Sequence, residues 1–562
     1  MSAGPRGMPL VDVDGWTFGR FVDEIGERFG EREAMVASDR QHGANLRRWT
    51  YAELARDARA LQWALQRHGI QPGDRVGVML SSFPEWVLYL FAITRLGAVF
   101  VPINPRFRSR ELRHVLAHSG ARALVAMGSY LGHDYAGQIA EACGRPSTGG
   151  GYDQLPALDI VIGVHTAPSP AALDTAALLD EGRRQLSGRK ALPRCDDAAA
   201  LAVLFYTSGT TSFPKGVPLT HAHLLPHSVR SGRWLELSPG ERVLTLYPFF
   251  GISGGANKVL STLGAGACLV FQDSYRPEEA AELLRSQACA VIHGVDVQIR
   301  ELMAAQGKNR QVGAEPEPPR RATIAFTAGL DEALARAMGP GLGIYRFIHA
   351  YGMTETNPMI LYNRLDDDFA VSVRAGGRVA EGVEVRIVEP ESGRDRPAGE
   401  EGEIVVRGST VMHGYYNDPG ATAAAFRDGW FHTGDLGVRT AGGFLFYVGR
   451  LKDMLKVGGF NVAPQEVEGL LRTHEAIEDV AVAPASDPRL GEVPVAFVKL
   501  RPGMPLSADE LIAWSRERIA NFKAPRAVYF VDALPYHTAA NGSKLQRHVL
   551  RDWARQREAP TS

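Results

Sequence analysis

The feature that most constrains this chain is an alternation. From about residue 74 to 350, short runs rich in β-branched and apolar residues take turns with stretches whose apolar positions recur at helical spacing. The runs at 75–80, 99–103, 121–126, 201–206, 243–247, 268–271, 290–293, 323–326 and 345–350 read as strands, and 85–95, 109–118, 277–286 and 297–305 as helices. Strand, helix and strand in succession require crossover connections, which produce parallel strands covered on both faces. The expected class is therefore α/β, with a large N-terminal domain of stacked, mostly parallel sheets and helices. Residues 144–170, rich in Gly, Pro and Ser, read as an irregular excursion. After Gly382 the texture changes to strands bounded by turns, such as 384–388 and 402–407, which suggests an antiparallel, barrel-like subdomain. A small α+β unit follows from about Gly449, with helical patterns at 464–472 and 507–519 and strands at 480–483 and 493–500. At 562 residues the chain has ample length for such a division.

Bulk properties exclude several classes. The formal net charge of -1, with Arg and Lys dispersed, offers no footprint for nucleic acid or an anionic membrane. The four cysteines, Cys143, Cys195, Cys268 and Cys289, are far apart and form no C-x-x-C pair, so reduced thiols in a cytoplasmic protein are expected rather than a zinc site or disulfide framework. The apolar window 86–103 is interrupted by Arg95 and Pro102 and reads as a buried helix and strand, not a membrane span. Nothing at 1–15 looks like a signal peptide.

The chemistry concentrates in one loop. The apolar run at 201–206 empties into Tyr206-Thr207-Ser208-Gly209-Thr210-Thr211-Ser212-Phe213-Pro214-Lys215-Gly216. Backbone N–H groups, five hydroxyls and one ammonium presented at a strand end suit a polyanion. The G-x-x-x-x-G-K-[ST] pattern is not met, because Gly216 follows Lys215 and the glycine spacing differs.

This loop resembles the signature of the adenylate-forming enzymes, the superfamily of acyl-CoA synthetases, peptide-synthetase adenylation domains and luciferases. Further segments resemble the same family in the same order: Leu96 to Pro105, Tyr351-Gly352-Met353-Thr354-Glu355-Thr356, Trp430-Phe431-His432-Thr433-Gly434-Asp435, Gly449-Arg450-Leu451-Lys452-Asp453, the stretch from Lys456 to Glu468, Phe522-Lys523-Ala524-Pro525-Arg526 and Gly542-Ser543-Lys544. The resemblance implies an AMP-forming acyl-CoA synthetase that uses ATP, Mg²⁺ and coenzyme A. It implies an adenylation domain over 1–449 and a mobile C-terminal domain over 450–562, hinged at 450–453 about Lys452. Thr207, Ser208, Gly209, Thr210, Thr211 and Lys215 would hold phosphates, with Gly329 and Gly352 near the adenine. Tyr351 would stack on adenine, Thr354 would bond the α-phosphate and Glu355 would carry Mg²⁺. Asp435 would grip the ribose hydroxyls, supported by Arg450. Lys544 would stand between carboxylate and α-phosphate, and Gly459 would enter with the loop that serves thioester formation. Lys523 and Arg526 would either meet coenzyme A phosphates or form a solvated face.

Phe250, Gly251, Gly254, His349 and Ala350 are the expected acyl-binding residues. Gly251 stands where relatives carry a gating side chain, and together with Gly254, Gly255 and Ala256 it predicts a roomy pocket for a medium-to-long, branched or cyclic acid. Asp296, near the expected acyl wall, reads either as a partner for a polar substrate group or as a helix N-cap. One residue separates Gly542 from Lys544, where the family's commonest form has none, and Thr327-Ala328-Gly329-Leu330 only partly matches the family's adenine cradle. Two other classes compete. Gly251-Ile252-Ser253-Gly254-Gly255 satisfies G-x-S-x-G, which would make Ser253 a hydrolase nucleophile with Asp435 and His537. Alternatively, the acyl acceptor is the phosphopantetheine of a carrier protein. The acid itself and the choice between monomer and homodimer are not legible.

Overall fold

The computed structural model describes residues 9–10, 12–39, 46–145, 151–169, 171–186, 192–207, 213–309, 319–325, 330, 332–457, 460–539 and 542–557. Two large sheets dominate. The first has seven strands in the order Lys215–Thr220, Leu201–Thr207, Val99–Pro102, Arg75–Met79, Ala123–Ala126, Ile160–Gly163 and Leu173–Asp174. Apart from the hairpin between Leu201–Thr207 and Lys215–Thr220, its pairings are parallel. Residues 144–170 thus differ from the irregular reading in part, since Ile160–Gly163 pairs with Ala123–Ala126. Its four residues are too short for a periodic signal, and pairing across the sheet decides their state.

The second sheet has fourteen strands. Glu33–Ser38, Cys268–Gln272, Arg242–Thr245, Val291–Gly294, Arg320–Ala325 and Ile344–Met353 pair in parallel, in that order. Asn357–Tyr362 then turns the sheet antiparallel. Gly376–Val379, Leu445–Arg450, Trp430–Arg439, Glu401–Gly408 and Val383–Val388 extend it, so the antiparallel strands expected after Gly382 continue the larger sheet.

The helix Pro84–Leu96 explains how the sheets stay together. Pro84 begins it where no N–H partner is needed, and Gly97 ends it in the left-handed region at φ 85°. All thirteen of its residues are buried, as a sequence apolar on most sides requires, and its two charges are paired, Glu85 with Arg47 and Arg95 with Asp23. Trp86 meets Phe100 of the seven-stranded sheet (ring centroids 4.8 Å) and Phe249 beside the larger one (5.6 Å), and Phe249 in turn meets Phe271 (4.7 Å).

From residue 455 the chain builds a separate five-stranded sheet from Leu455–Val457, Phe460–Val462, Ile477–Asp487, Gly491–Leu500 and Ala527–Phe530. Helices Pro464–Leu471, Ala508–Arg516 and Arg547–Arg557 pack on it around their own apolar clusters. A single 3₁₀ turn, Leu451–Asp453, joins this unit to the larger sheet.

Candidate active site

The longest strand of the parallel set, Ile344–Met353, runs past the sheet edge and carries Tyr351 and Gly352 to its end. It gives way to the 3₁₀ turn Thr354–Thr356, which aims Glu355 across to the neighbouring sheet. There Thr207 ends its strand opposite Lys215 in the hairpin. Thr207 Oγ1 donates to Glu355 Oε1 at 3.5 Å, and Tyr415 Oη donates to the same oxygen at 3.1 Å. Lys215 Nζ lies 4.8 Å from the Tyr415 ring centroid, a cation–π distance. One carboxylate, one ammonium and two hydroxyls therefore face the mouth of the signature loop. That donor set suits the phosphates of a nucleotide and a Mg²⁺ ion, which takes one or two carboxylates and completes its shell with phosphate and water oxygens. Ser208, Gly209, Thr210 and Thr211 lie outside the described residues.

The far end of the loop is clamped by the helix Ser109–Ser119. His114 stacks on Phe213 at 4.5 Å and its Nε2 donates to Pro214 O at 3.1 Å, while Arg110 lies 4.8 Å over the Phe213 ring. His118 Nδ1 meets Tyr206 Oη at 2.9 Å.

The second half of the site comes from two adjacent antiparallel strands. Asp435 on Trp430–Arg439 is paired in register with Arg450 on Leu445–Arg450, so their side chains share a face. Arg450 Nε forms an ion pair with Asp435 Oδ1 at 2.9 Å, and Tyr351 Oη donates to Asp435 Oδ2 at 2.8 Å. Burial, and after it the Asp435 carboxylate, push the Tyr351 phenol well above its ordinary range, which keeps it a donor. Tyr447 stacks on Tyr351 at 5.3 Å, so one face of the Tyr351 ring is already covered. Tyr415 and Tyr447 are absent from the sequence reading. Their only sequence signal is an aromatic residue in a glycine-bounded turn or on a strand, which core residues share.

The expected acyl region is rearranged by packing. Residues Ile252–Lys258 form a π-helix, wholly buried, after Gly251. A Cβ on Gly254 would stand 2.4 Å from Pro248 O, and one on Gly255 would stand 1.8 Å from Phe249 O and 2.4 Å from the Trp86 ring. These two glycines permit close packing of the turn on 248–249, and the roominess expected from them is not there. His349 and Ala350, expected together, point to opposite faces as successive strand residues must. Ala350 joins the cluster with Ile348 and Met359, while His349 lies beside the backbone of Ser372 and Val373. The hydrolase reading also falls. Ser253 lies inside the π-helix rather than on a strand-to-helix elbow, and Asp435 is engaged by Tyr351 and Arg450. The side chain of His537 lies outside the described residues. Asp296 is the first residue of the helix Asp296–Asn309; burial raises its carboxyl, and Arg472 of the C-terminal unit is among its charged neighbours.

In the C-terminal unit, Lys452 O accepts from Arg551 at 2.8 Å, so the helix Arg547–Arg557 rests on the linking turn. Glu468 is buried and holds Arg547 through two contacts at 2.9 and 3.1 Å. Lys523 is engaged by Glu466 at 2.6 Å. The backbone of Lys544 lies in the strand Gly542–Leu545, opposite His537. The Lys544 side chain, Gly329 and Gly459 lie outside the described residues. Among the described residues no helix is long and apolar enough to cross a membrane.

Residues 22–416 match the AMP-binding enzyme family and residues 466–541 the AMP-binding enzyme C-terminal domain. The chain is 34% identical over 512 residues to a feruloyl-CoA synthase of an Amycolatopsis species, covering 89% of this chain and 93% of the relative. It is 33% identical over 532 residues to the 3-[(3aS,4S,7aS)-7a-methyl-1,5-dioxo-octahydro-1H-inden-4-yl]propanoyl:CoA ligase of Mycobacterium tuberculosis, covering 94% and 98%. Among solved structures, ATP-bound MatB from Rhodopseudomonas palustris superposes with a TM-score of 0.77 at 26% identity, covering 95% of this chain and 98% of that one.

Proposed function

The chain belongs to the AMP-binding enzyme family, and from that premise we propose that it is an AMP-forming acid–thiol ligase, joining a carboxylic acid to AMP and then to coenzyme A. The observation that carries the reading is the convergence of Thr207, Lys215 and Glu355 at the loop mouth with the Asp435–Tyr351–Arg450 group beside it. Relatives named as CoA ligases across nearly the whole chain support coenzyme A as acceptor.

A carboxylate is a poor acyl donor until its oxygen is made a leaving group, and attaching AMP does that. The obstacle is repulsion between two anions. Lys215 and the backbone of the signature loop would neutralise the β- and γ-phosphates, and Lys544 would bridge the carboxylate and the α-phosphate as charge develops. Glu355, held by Thr207 and Tyr415, would carry Mg²⁺, which would supply further neutralisation of phosphate charge. Asp435, acceptor-only when ionised, would take both ribose hydroxyls while Tyr351 and Arg450 fix its orientation. In the second half-reaction, turning about Lys452 would withdraw Lys544 and bring the Gly459 loop to the thiol. The single 3₁₀ turn between two units with separate cores supports such a hinge.

The test is incubation with ATP, Mg²⁺, coenzyme A and a broad carboxylate panel, with acyl-CoA and AMP read by mass spectrometry. A thioester with AMP release is expected. Acyl-adenylate without thioester would move the acceptor to a carrier protein, and no adenylate from any acid would overturn the reading.

A further inference from the structure

Behind the expected acyl entrance the protein holds a set of buried polar groups that are unpaired or weakly paired among the described residues. Lys258, the last residue of the π-helix, is 2% exposed. Among the described residues its ammonium donates to Met359 Sδ, at 2.9 Å, and a thioether is a weak acceptor. No carboxylate pairs with it among the described residues, and burial alone pulls it down to about 7. Across from it runs a row on the larger sheet: Thr245 is in register with His293, and His293 with Thr323. In a parallel sheet such partners share a face, here the one carrying Ile348, Ala350 and Met359. Thr245 Oγ1, Thr323 Oγ1 and both ring nitrogens of His293 are buried with no hydrogen-bond partner among the described residues.

Two further observations set this row apart from ordinary packing. Buried polar groups are nearly always paired, and three residues without a partner beside an ammonium held only by a thioether need a cause. Met359 is also held at φ 68°, a left-handed backbone costly for an unbranched side chain, with Asn357 at φ 67° beside it. Asn357 Nδ2 pins that segment to His223 O and Thr410 O, and His227 donates to Pro358 O. The row sits at the carboxyl ends of parallel strands, where open α/β sheets bind ligands. One π-helix separates Lys258 from Gly251, a span of roughly 10 Å at most.

We propose that this row is the far pole of the acyl pocket, and that the enzyme activates carboxylic acids carrying a second hydrogen-bond-accepting oxygen, carbonyl or carboxylate, at the end remote from the reacting group, received by Lys258, His293, Thr245 and Thr323. The inference rests on the proposed ligase function and names its substrate class. An oxygen there would accept from the ammonium, the imidazole and the hydroxyls at once. An alkyl terminus would leave all of them dry and unpaired, a mismatch that costs far more than a missing methylene.

The experiment measures kcat/KM by pyrophosphate release for octanoic, 7-oxooctanoic and octanedioic acids with the full chain, ATP, Mg²⁺ and coenzyme A. At least one oxygenated acid should exceed octanoic acid by tenfold or more, and the two arms distinguish carbonyl from carboxylate. In Lys258→Met, which keeps side-chain length, that ratio should fall to near one while the melting temperature holds or rises. Thr323→Val, matched in shape, should lower the ratio several-fold. Preference of the wild type for octanoic acid, or survival of the ratio in Lys258→Met, overturns the inference and leaves the ligase reading standing. Failure of the folded, ATP-binding protein to activate any acid overturns the ligase reading and this one with it.

Discussion

Replacing Gly255 by Ala tests whether the π-helix leaves room at that turn or is pressed against its neighbours. The added Cβ would stand 1.8 Å from Phe249 O and 2.4 and 2.7 Å from two Trp86 ring carbons, where about 3.5 Å is comfortable. Neither neighbour can yield cheaply. The carbonyl is backbone, and the Trp86 ring is wedged against Phe100 at 4.8 Å. Overpacking of a tight core costs about 1–3 kcal/mol, and contact with backbone should place this variant at about 3 kcal/mol or above, a hundredfold or more in the folding equilibrium. Guanidinium unfolding followed by tryptophan fluorescence should show a lower midpoint with an unchanged slope. Gly469→Ala is the opposing control, since that glycine lies within the helix Pro464–Leu471 with nothing within 4 Å of its Cβ. There the substitution should stabilise by up to about 1 kcal/mol. An unchanged or raised midpoint for Gly255→Ala would refute the close approach and restore a pocket open at this turn.

Acid should weaken the fold well before the carboxylates titrate. Burial holds His221, His223 and His227 down at about 4, so between about pH 6.5 and 4 the unfolded chain takes protons that the native state refuses. Stability is then lost as pH falls through that window, at up to about 3 kcal/mol for the most buried of the three; a thermal midpoint flat from pH 7 to 4.5 would contradict it. Lys544→Ala should abolish adenylate formation while sparing thioester formation from supplied acyl-adenylate, and equal loss of both half-reactions would refute the division of labour. Asp435→Ala should lower kcat/KM for ATP by about 10²–10⁴, the worth of two hydrogen bonds to a charged acceptor at about 1.5–3 kcal/mol each; an unchanged KM for ATP would remove Asp435 from the ribose site.

The alternation of short apolar runs and amphipathic stretches determined the α/β class, because periodicity is local and each run carries its own record of which faces must be buried. The signature loop and the motifs that hold Glu355 and Asp435 were likewise visible in the sequence, because each is a compact local pattern that refers to nothing distant. What the tertiary structure alone decided are the relations between distant segments. Tyr415 reaches Glu355 from sixty residues away, Tyr447 covers one face of Tyr351, and Thr245, His293 and Thr323 become one row only when three separate strands fall into register. The glycines at 254 and 255 show the limit most directly. In the sequence they are missing side chains and read as space; in the fold that space is taken by the carbonyls of Pro248 and Phe249 and the ring of Trp86. An absent side chain says what a residue cannot fill, and only the packing of the whole chain says what fills it instead.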